Sequence, residues 1–210
     1  GKVNALSPEM LAEVSAHLDA AEADAAEVVV LTGREQTFSA GFDLRVELEG
    51  WPAMLLAGAR LAQRMFTFPR PVLAACNGNA LAMGGFLLLA ADYRLGAAGE
   101  HKLGLNEVRI GMTIPWFGIE FARHRMPAPW FDRCCITGAI LDPEQAREAG
   151  FLDRVVEADV LEDVAAAVAA DLREVKSEAH LNTKLRVRGR ALESLADGIA
   201  RAETGDLSQF

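Results

Sequence analysis

Pro71-Val72-Leu73-Ala74-Ala75-Cys76-Asn77-Gly78-Asn79-Ala80-Leu81-Ala82-Met83-Gly84-Gly85-Phe86 is the stretch that decides how this chain folds. Its first six residues are a short apolar run stopped by Asn77-Gly78, a turn dipeptide, which predicts a buried strand. Gly84-Gly85 then opens an apolar segment, Phe86 to Ala91, that reads as a helix. The first N–H groups of such a helix have no partners within it, so its start can hold an anion or a developing oxyanion.

The same alternation extends outward. Val28-Val29-Val30-Leu31, ended by Thr32-Gly33, predicts a second buried strand, and Tyr93-Arg94-Leu95-Gly96 a third. Ser7-Pro8 supplies a capping hydroxyl and a proline for a helix along which Met10, Leu11, Val14 and Leu18 recur. From Pro115 onward the pattern is helical, with Pro129, Pro143 and Asp159 near helix starts. Val160, Leu161, Val164, Val168 and Leu172 form one amphipathic stripe, and a last amphipathic helix spans residues 177–203. Strands alternating with helices imply parallel pairing through crossovers, hence an α/β class. The expected organisation is a core over residues 1–135 and a helical C-terminal region over 136–210, acting as a cap or oligomer interface.

Composition narrows the function classes. A chain of 210 residues is one large domain. A net charge of -9 argues against general affinity for nucleic acid or anionic membranes. The longest apolar stretch, residues 80–91, is shorter than the roughly 20 residues a membrane helix needs. Cys76, Cys134 and Cys135 make neither a disulfide framework nor a metal-ligand pattern, which fits a reducing, cytoplasmic setting. His17, His101, His124 and His180 show no metal-ligand spacing, and Ser39 has no evident His and acid partners for a hydrolytic triad.

A second glycine turn, Phe38-Ser39-Ala40-Gly41-Phe42-Asp43-Leu44, precedes the first. Two loops aiming backbone N–H groups at one point would form an oxyanion hole. Taken singly, Gly41 and Gly84 need do no more than permit turns.

Together these motifs change the reading. Val3-Asn4-Ala5-Leu6-Ser7, Thr37 through Leu44, Asn77 through Gly85, Asp92-Tyr93-Arg94, Gly104-Leu105-Asn106-Glu107, the Gly111 to Pro115 stretch and Ala149 through Val156 keep one order and spacing over nearly the whole chain. In this the sequence resembles the enoyl-CoA hydratase/isomerase (crotonase) family. The resemblance implies a crotonase (ClpP-like) fold of stacked ββα turns with a helical C-terminal region, an acyl-coenzyme A substrate, and assembly as trimers or pairs of trimers. The family's opening β-hairpin is missing, so the chain is expected to begin after a lost segment.

By the same resemblance the oxyanion donors are the backbone N–H groups of Phe42 and Met83, with Gly84 as the alternative to Met83. The position of the first acid of hydratases is Phe86 here, and that of the second is Glu107, the expected base. Losing one acid should disable the two-carboxylate handling of water. A double-bond isomerase needs only one base in a dry pocket, and isomerases of the mitochondrial type look similar in having an apolar residue at the first position and Gly-Leu-Asn-Glu at the second. Lys2, Ala40, Gly41, Asp43 and Leu44 fall where coenzyme A is contacted. Lys184, Arg186, Arg188 and Arg190 read either as a clamp for its phosphates or as a solvated helix face with salt bridges. Trp116, Phe117 and Phe121 could shape an acyl tunnel or be plain core. Asp43 and Asp92 also read as turn-fixing residues.

The expectation is therefore an enzyme that shifts a 3-enoyl-CoA to the 2-trans isomer with no metal or redox cofactor, coenzyme A being part of the substrate. The alternatives are an enoyl-CoA hydratase, another enolate outcome such as dehalogenation or decarboxylation, and a non-catalytic acyl-CoA-binding homologue.

Overall fold

The computed structural model describes residues 3–203. Helix α1 (Pro8–Ala23) begins at Ser7, whose hydroxyl accepts the Met10 amide. Three strand–strand–helix turns follow. β1 (Val29–Thr32), β2 (Thr37–Ser39) and α2 (Trp51–Thr67) form the first. The second comprises β3 (Val72–Cys76), β4 (Asn79–Leu81) and α3 (Met83–Ala90). In the third, β5 (Tyr93–Ala97) and β6 (Leu103–Gly104) lead through a 3-10 turn (Glu107–Ile110) to α4 (Trp116–Arg125). α5 (Ala128–Thr137), α6 (Pro143–Glu148), β7 (Arg154–Val156), α7 (Leu161–Leu172) and α8 (Ser177–Glu203) complete the described chain.

Each turn gives one strand to each of two parallel sheets, ordered β1-β3-β5-β7 and β2-β4-β6. This is the stacked ββα spiral, and a parallel return over so short a distance needs the helix each turn carries. β3 is buried along its length. Its alternate side chains divide two cores: Val72, Ala74 and Cys76 face the main core, while Leu73 and Ala75 face α7. Leu161, Val164, Val168 and Leu172 of the amphipathic stripe form the α7 face that covers the second core, whereas Val160 precedes the helix and is exposed.

Elements beyond residue 135 are built into the core. β7 lies beyond it yet completes the main sheet, pairing Leu95 with Arg154 and Ala97 with Val156. α8 is likewise joined to the core by a buried ionic cluster. Lys184 Nζ donates to the Phe68 carbonyl at 2.7 Å and to Asp92 Oδ2 at 2.7 Å, and Arg188 pairs with Asp92 Oδ1 at 2.9 Å. The Arg188 guanidinium also stacks over the Phe66 ring, 4.1 Å from its centroid. Among the described residues no helix is long and apolar enough to cross a membrane.

Candidate active site

The two glycine turns meet. Gly41 has φ 93°, and a Cβ built there would lie 2.9 Å from the Ala82 Cβ and 3.4 Å from the Met83 amide nitrogen. On the other side of the contact, a Cβ on Gly84 would come within 2.5 Å of the Ser39 carbonyl oxygen. Only glycine admits so close an approach of backbones, so the conformation at 41 and the contact at 84 are what bring the loops together.

Three backbone amides are left over at this junction. Residues 3–6 pass beside the first loop and are joined to it by an isolated parallel bridge: the Leu6 amide donates to Gly41 O at 2.8 Å and the Asp43 amide to Leu6 O at 3.2 Å. This parallel bridge to Phe42 uses the groups on either side of it, which turns the Phe42 N–H away from Leu6. Ala82 sits at φ 49°, ψ −122°, a conformation that L residues avoid. It is held there because its amide donates to Gly104 O at 3.0 Å while its carbonyl accepts from Gly85 and Phe86. α3 therefore starts with the Met83 and Gly84 amides unused. Among the described residues, none of the Phe42, Met83 and Gly84 amides donates to a protein acceptor.

Beside the junction is a cavity of about 120 Å³. Phe42, Trp51, Leu55 and Phe86 give it apolar walls, Ala40 and Leu44 stand on the side of the first loop, and Asn106 and Glu107 supply polar groups. Leu44 is 62% exposed. Phe86 is buried and meets Phe117 edge to face at 5.8 Å, so the first acid position is a fixed hydrophobic wall.

Glu107 opens the 3-10 turn just after β6 and is only 5% exposed. Its Oε2 has no hydrogen-bond partner among the described residues. Burial is the main influence on this carboxyl and pushes it up to about 7, against a smaller opposing pull from its own backbone amide. From α5, the buried Cys135 thiol lies close enough to feel the Glu107 charge and stays a neutral thiol, pushed up to about 12 chiefly by burial. The cavity thus holds a carboxyl poised between its two protonation states at neutral pH.

The remaining sequence expectations divide. Asp43 does not face the cavity. Its carboxylate binds the Arg45 amide at 3.0 Å and the Arg45 guanidinium at 2.8 and 2.6 Å, and these bonds hold it down at about 2. Asp43 fixes the turn, the other role its sequence suggests. Lys184 is no phosphate clamp, because its ammonium is buried and spent on Asp92 and two backbone carbonyls. Arg186 and Arg190 are exposed on the same helix. Phe117 and Phe121 are core, and Trp116 is part-exposed. Lys2 lies outside the described residues. Asn106 stands in the Gly-Leu-Asn-Glu run and lines the cavity beside Glu107. Its buried Oδ1 also lacks a partner among the described residues, and its place next to the expected base is the signal that marks it in the sequence. Among the described residues no three His, Cys, Asp or Glu side chains are grouped as a metal site would require.

A spiral of ββα turns with two parallel sheets and a glycine-turn junction above an apolar pocket is the crotonase fold. The enoyl-CoA hydratase/isomerase family model matches residues 1–201, and the chain belongs to that family of enzymes. A Thermus thermophilus protein named as an enoyl-CoA hydratase is 34% identical over 98% of this chain and 87% of its own length. The crystal structure of an enoyl-CoA hydratase/isomerase family protein from Pseudomonas syringae superposes with a TM-score of 0.95 at 44% identity, covering 99% of this chain and 91% of that one. Two structures of one Mycobacterium tuberculosis protein, described as an enoyl-CoA isomerase in one and as a probable enoyl-CoA hydratase in the other, each give a TM-score of 0.93, at 36% identity over 97% of this chain and 90% of that one, and at 37% over 98% and 89%.

Proposed function

We propose that the chain converts a 3-enoyl-CoA thioester to its 2-trans isomer. The observation that supports this reading above others is the pairing of one buried carboxyl at Glu107, pushed up to about 7 by burial, with a phenylalanine, Phe86, at the other acid position. One base facing a dry wall suits a proton shuttle.

In this reading ionised Glu107 removes a proton from C2 of the 3-enoyl thioester. The C–H electron pair spreads onto the thioester oxygen, which accepts hydrogen bonds from the Phe42 and Met83 amides. These donors lower the acidity gap between the carbon acid and the base, and burial narrows it from the other side by raising the carboxyl to about 7. Glu107 then returns its proton to C4 of the dienolate, and the double bond comes to rest between C2 and C3. No atom is gained or lost, and the thioester itself supplies the activation, so the proposal invokes no metal or redox cofactor. Coenzyme A enters past Ala40 and Leu44, and the working assembly is a trimer or a pair of trimers.

The test is to incubate the enzyme with 3-hexenoyl-CoA and follow conjugated-thioester absorbance. A gain in absorbance that depends on Glu107 supports the isomerase. Coenzyme A thioester binding with no gain, from either the cis or the trans substrate, overturns it.

A further inference from the structure

The middle of α2 carries a glycine where alanine would serve the helix better. Gly58 is buried between Ala57 and Ala59 and has a helical backbone, with no positive φ to require glycine. A glycine inside a helix is less stable than alanine, so the position has another use. That use is space. A Cβ there would lie 2.5 and 2.6 Å from Cζ and Cε1 of the Phe42 ring and 3.4 Å from Met83 Cε. By contrast, a Cβ on Gly189, inside α8, would meet no described atom within 4 Å. The two side chains seated at Gly58 belong to the two residues whose amides are read as holding the thioester oxygen.

The seat is closed around them. Trp51 stands two helical turns before Gly58 on the same face of α2, and its ring meets Phe42 edge to face at 6.3 Å. Met83 is fully buried. The main chain at Phe42 is anchored through Gly41 and Asp43 to Leu6, and the chain entering Met83 is anchored by the Ala82 amide on Gly104 O. Each amide is thus aimed by its own loop, and the side chains of both residues close onto one notch in a third element. We infer that Gly58 is a positioning residue for the oxyanion hole: the notch it leaves in α2 seats Phe42 and Met83 together and so keeps their two amides converged on one oxygen. The inference rests on the reading of those amides as the donors.

One added methyl group measures what the notch does. To restore ordinary contact the Phe42 ring would have to retreat by about 1 Å. A phenyl ring has no flexible end to fold away, and Trp51 stands beside it, so the displacement passes to the Phe42 main chain and its amide. Misplacement on that scale can cost about a hundredfold in rate. The loss falls where charge develops on the thioester oxygen, so kcat suffers while ground-state binding of the thioester does not.

The experiment uses the full chain and two readouts: turnover of 3-hexenoyl-CoA, and the infrared carbonyl stretch of bound hexanoyl-CoA, which has no double bond to move. Wild type is expected to lower that stretch relative to the thioester in water. In Gly58→Ala, kcat should fall about 10- to 100-fold with KM changed less than about twofold, and most of the lowering of the stretch should be lost. Phe42→Leu removes the ring atoms that the new Cβ would strike, so adding Gly58→Ala to it should change kcat less than about twofold. This second comparison decides the matter even where Gly58→Ala alone folds poorly. Gly189→Ala is the benchmark for a helical glycine with nothing seated on it: a higher urea midpoint and both readouts unchanged. A Gly58→Ala protein that behaves like Gly189→Ala, or a loss of equal size in wild type and in Phe42→Leu, overturns the positioning role and leaves the isomerase reading intact. If 3-hexenoyl-CoA is inert while wild type lowers the stretch and Gly58→Ala loses that lowering, the positioning role stands and the isomerase reading falls.

Discussion

Glu107→Gln should cut turnover sharply and, in the same protein, raise stability at alkaline pH. The carboxyl is 5% exposed and is pushed by burial from 4.5 to about 7. Its folded-state value lies above its unfolded one, so the folded protein favours the neutral form. Stability is full below the unfolded value and is lost as pH rises through 7. Linkage puts the loss at about 3 kcal/mol at pH 8 and under about 1 kcal/mol at pH 5. Glutamine keeps the shape, cannot ionise, and escapes the loss. The stability difference between variant and wild type should therefore widen by roughly 2 to 3 kcal/mol from pH 5 to pH 8, measured as urea midpoints at each pH. Any fixed cost of burying an amide cancels in that difference. Turnover of 3-hexenoyl-CoA should fall by about two to four orders of magnitude, and in wild type kcat/KM should rise through about pH 7 as the base ionises. A stability difference that is flat with pH, or a variant that retains its rate, would refute the argument that a buried, neutral-biased carboxyl is the base.

Other substitutions probe the surrounding parts. Gly41→Ala must adopt φ 93° and press on Ala82, so it should cost about 1–2 kcal/mol by denaturant titration and lower kcat more than it raises KM. Phe86→Leu opens the wall facing Glu107 to water, and the acid limb of the pH–rate profile should move to lower pH. Lys184→Met should lower the urea midpoint while changing KM for the thioester less than about twofold, since the ammonium binds Asp92 rather than substrate. Asp92→Ala leaves Lys184 and Arg188 buried without their counterion and should cost about 3–5 kcal/mol, seen as a large drop in melting temperature.

Much of the spiral was legible because β1, β3 and β5 are short β-branched or apolar runs closed by turn residues, and because Ser7-Pro8 marks a helix start in local chemistry. The β2, β4 and β6 strands escaped. They are three, three and two residues long, too short to show alternation, and each exists only because its neighbour in the stack pairs with it. β7 escaped for the same reason, and with it the true extent of the sheet. Lys184 and Arg188 are four residues apart on one helix face, which a sequence cannot tell from a solvated basic stripe. Their partners, Asp92 and the carbonyls of Phe68 and Phe66, lie about a hundred residues earlier. Gly41, Phe86 and Glu107 were found through family resemblance, and burial then gave Glu107 a physical reason for reactivity. Asn106 carries no spacing signal of its own, and only its place beside Glu107 marks it in the sequence.

The ionic cluster under α8 also dictates when this protein can finish folding. During synthesis Asp92 leaves the ribosome roughly ninety residues ahead of Lys184 and Arg188, so the nascent spiral carries this carboxylate before its two ion-pair partners on α8 exist. The carbonyls of Phe66 and Phe68 wait for the same late arrivals. Until the last helix emerges the chain cannot close, and a polypeptide released early would present that apolar flank to its neighbours.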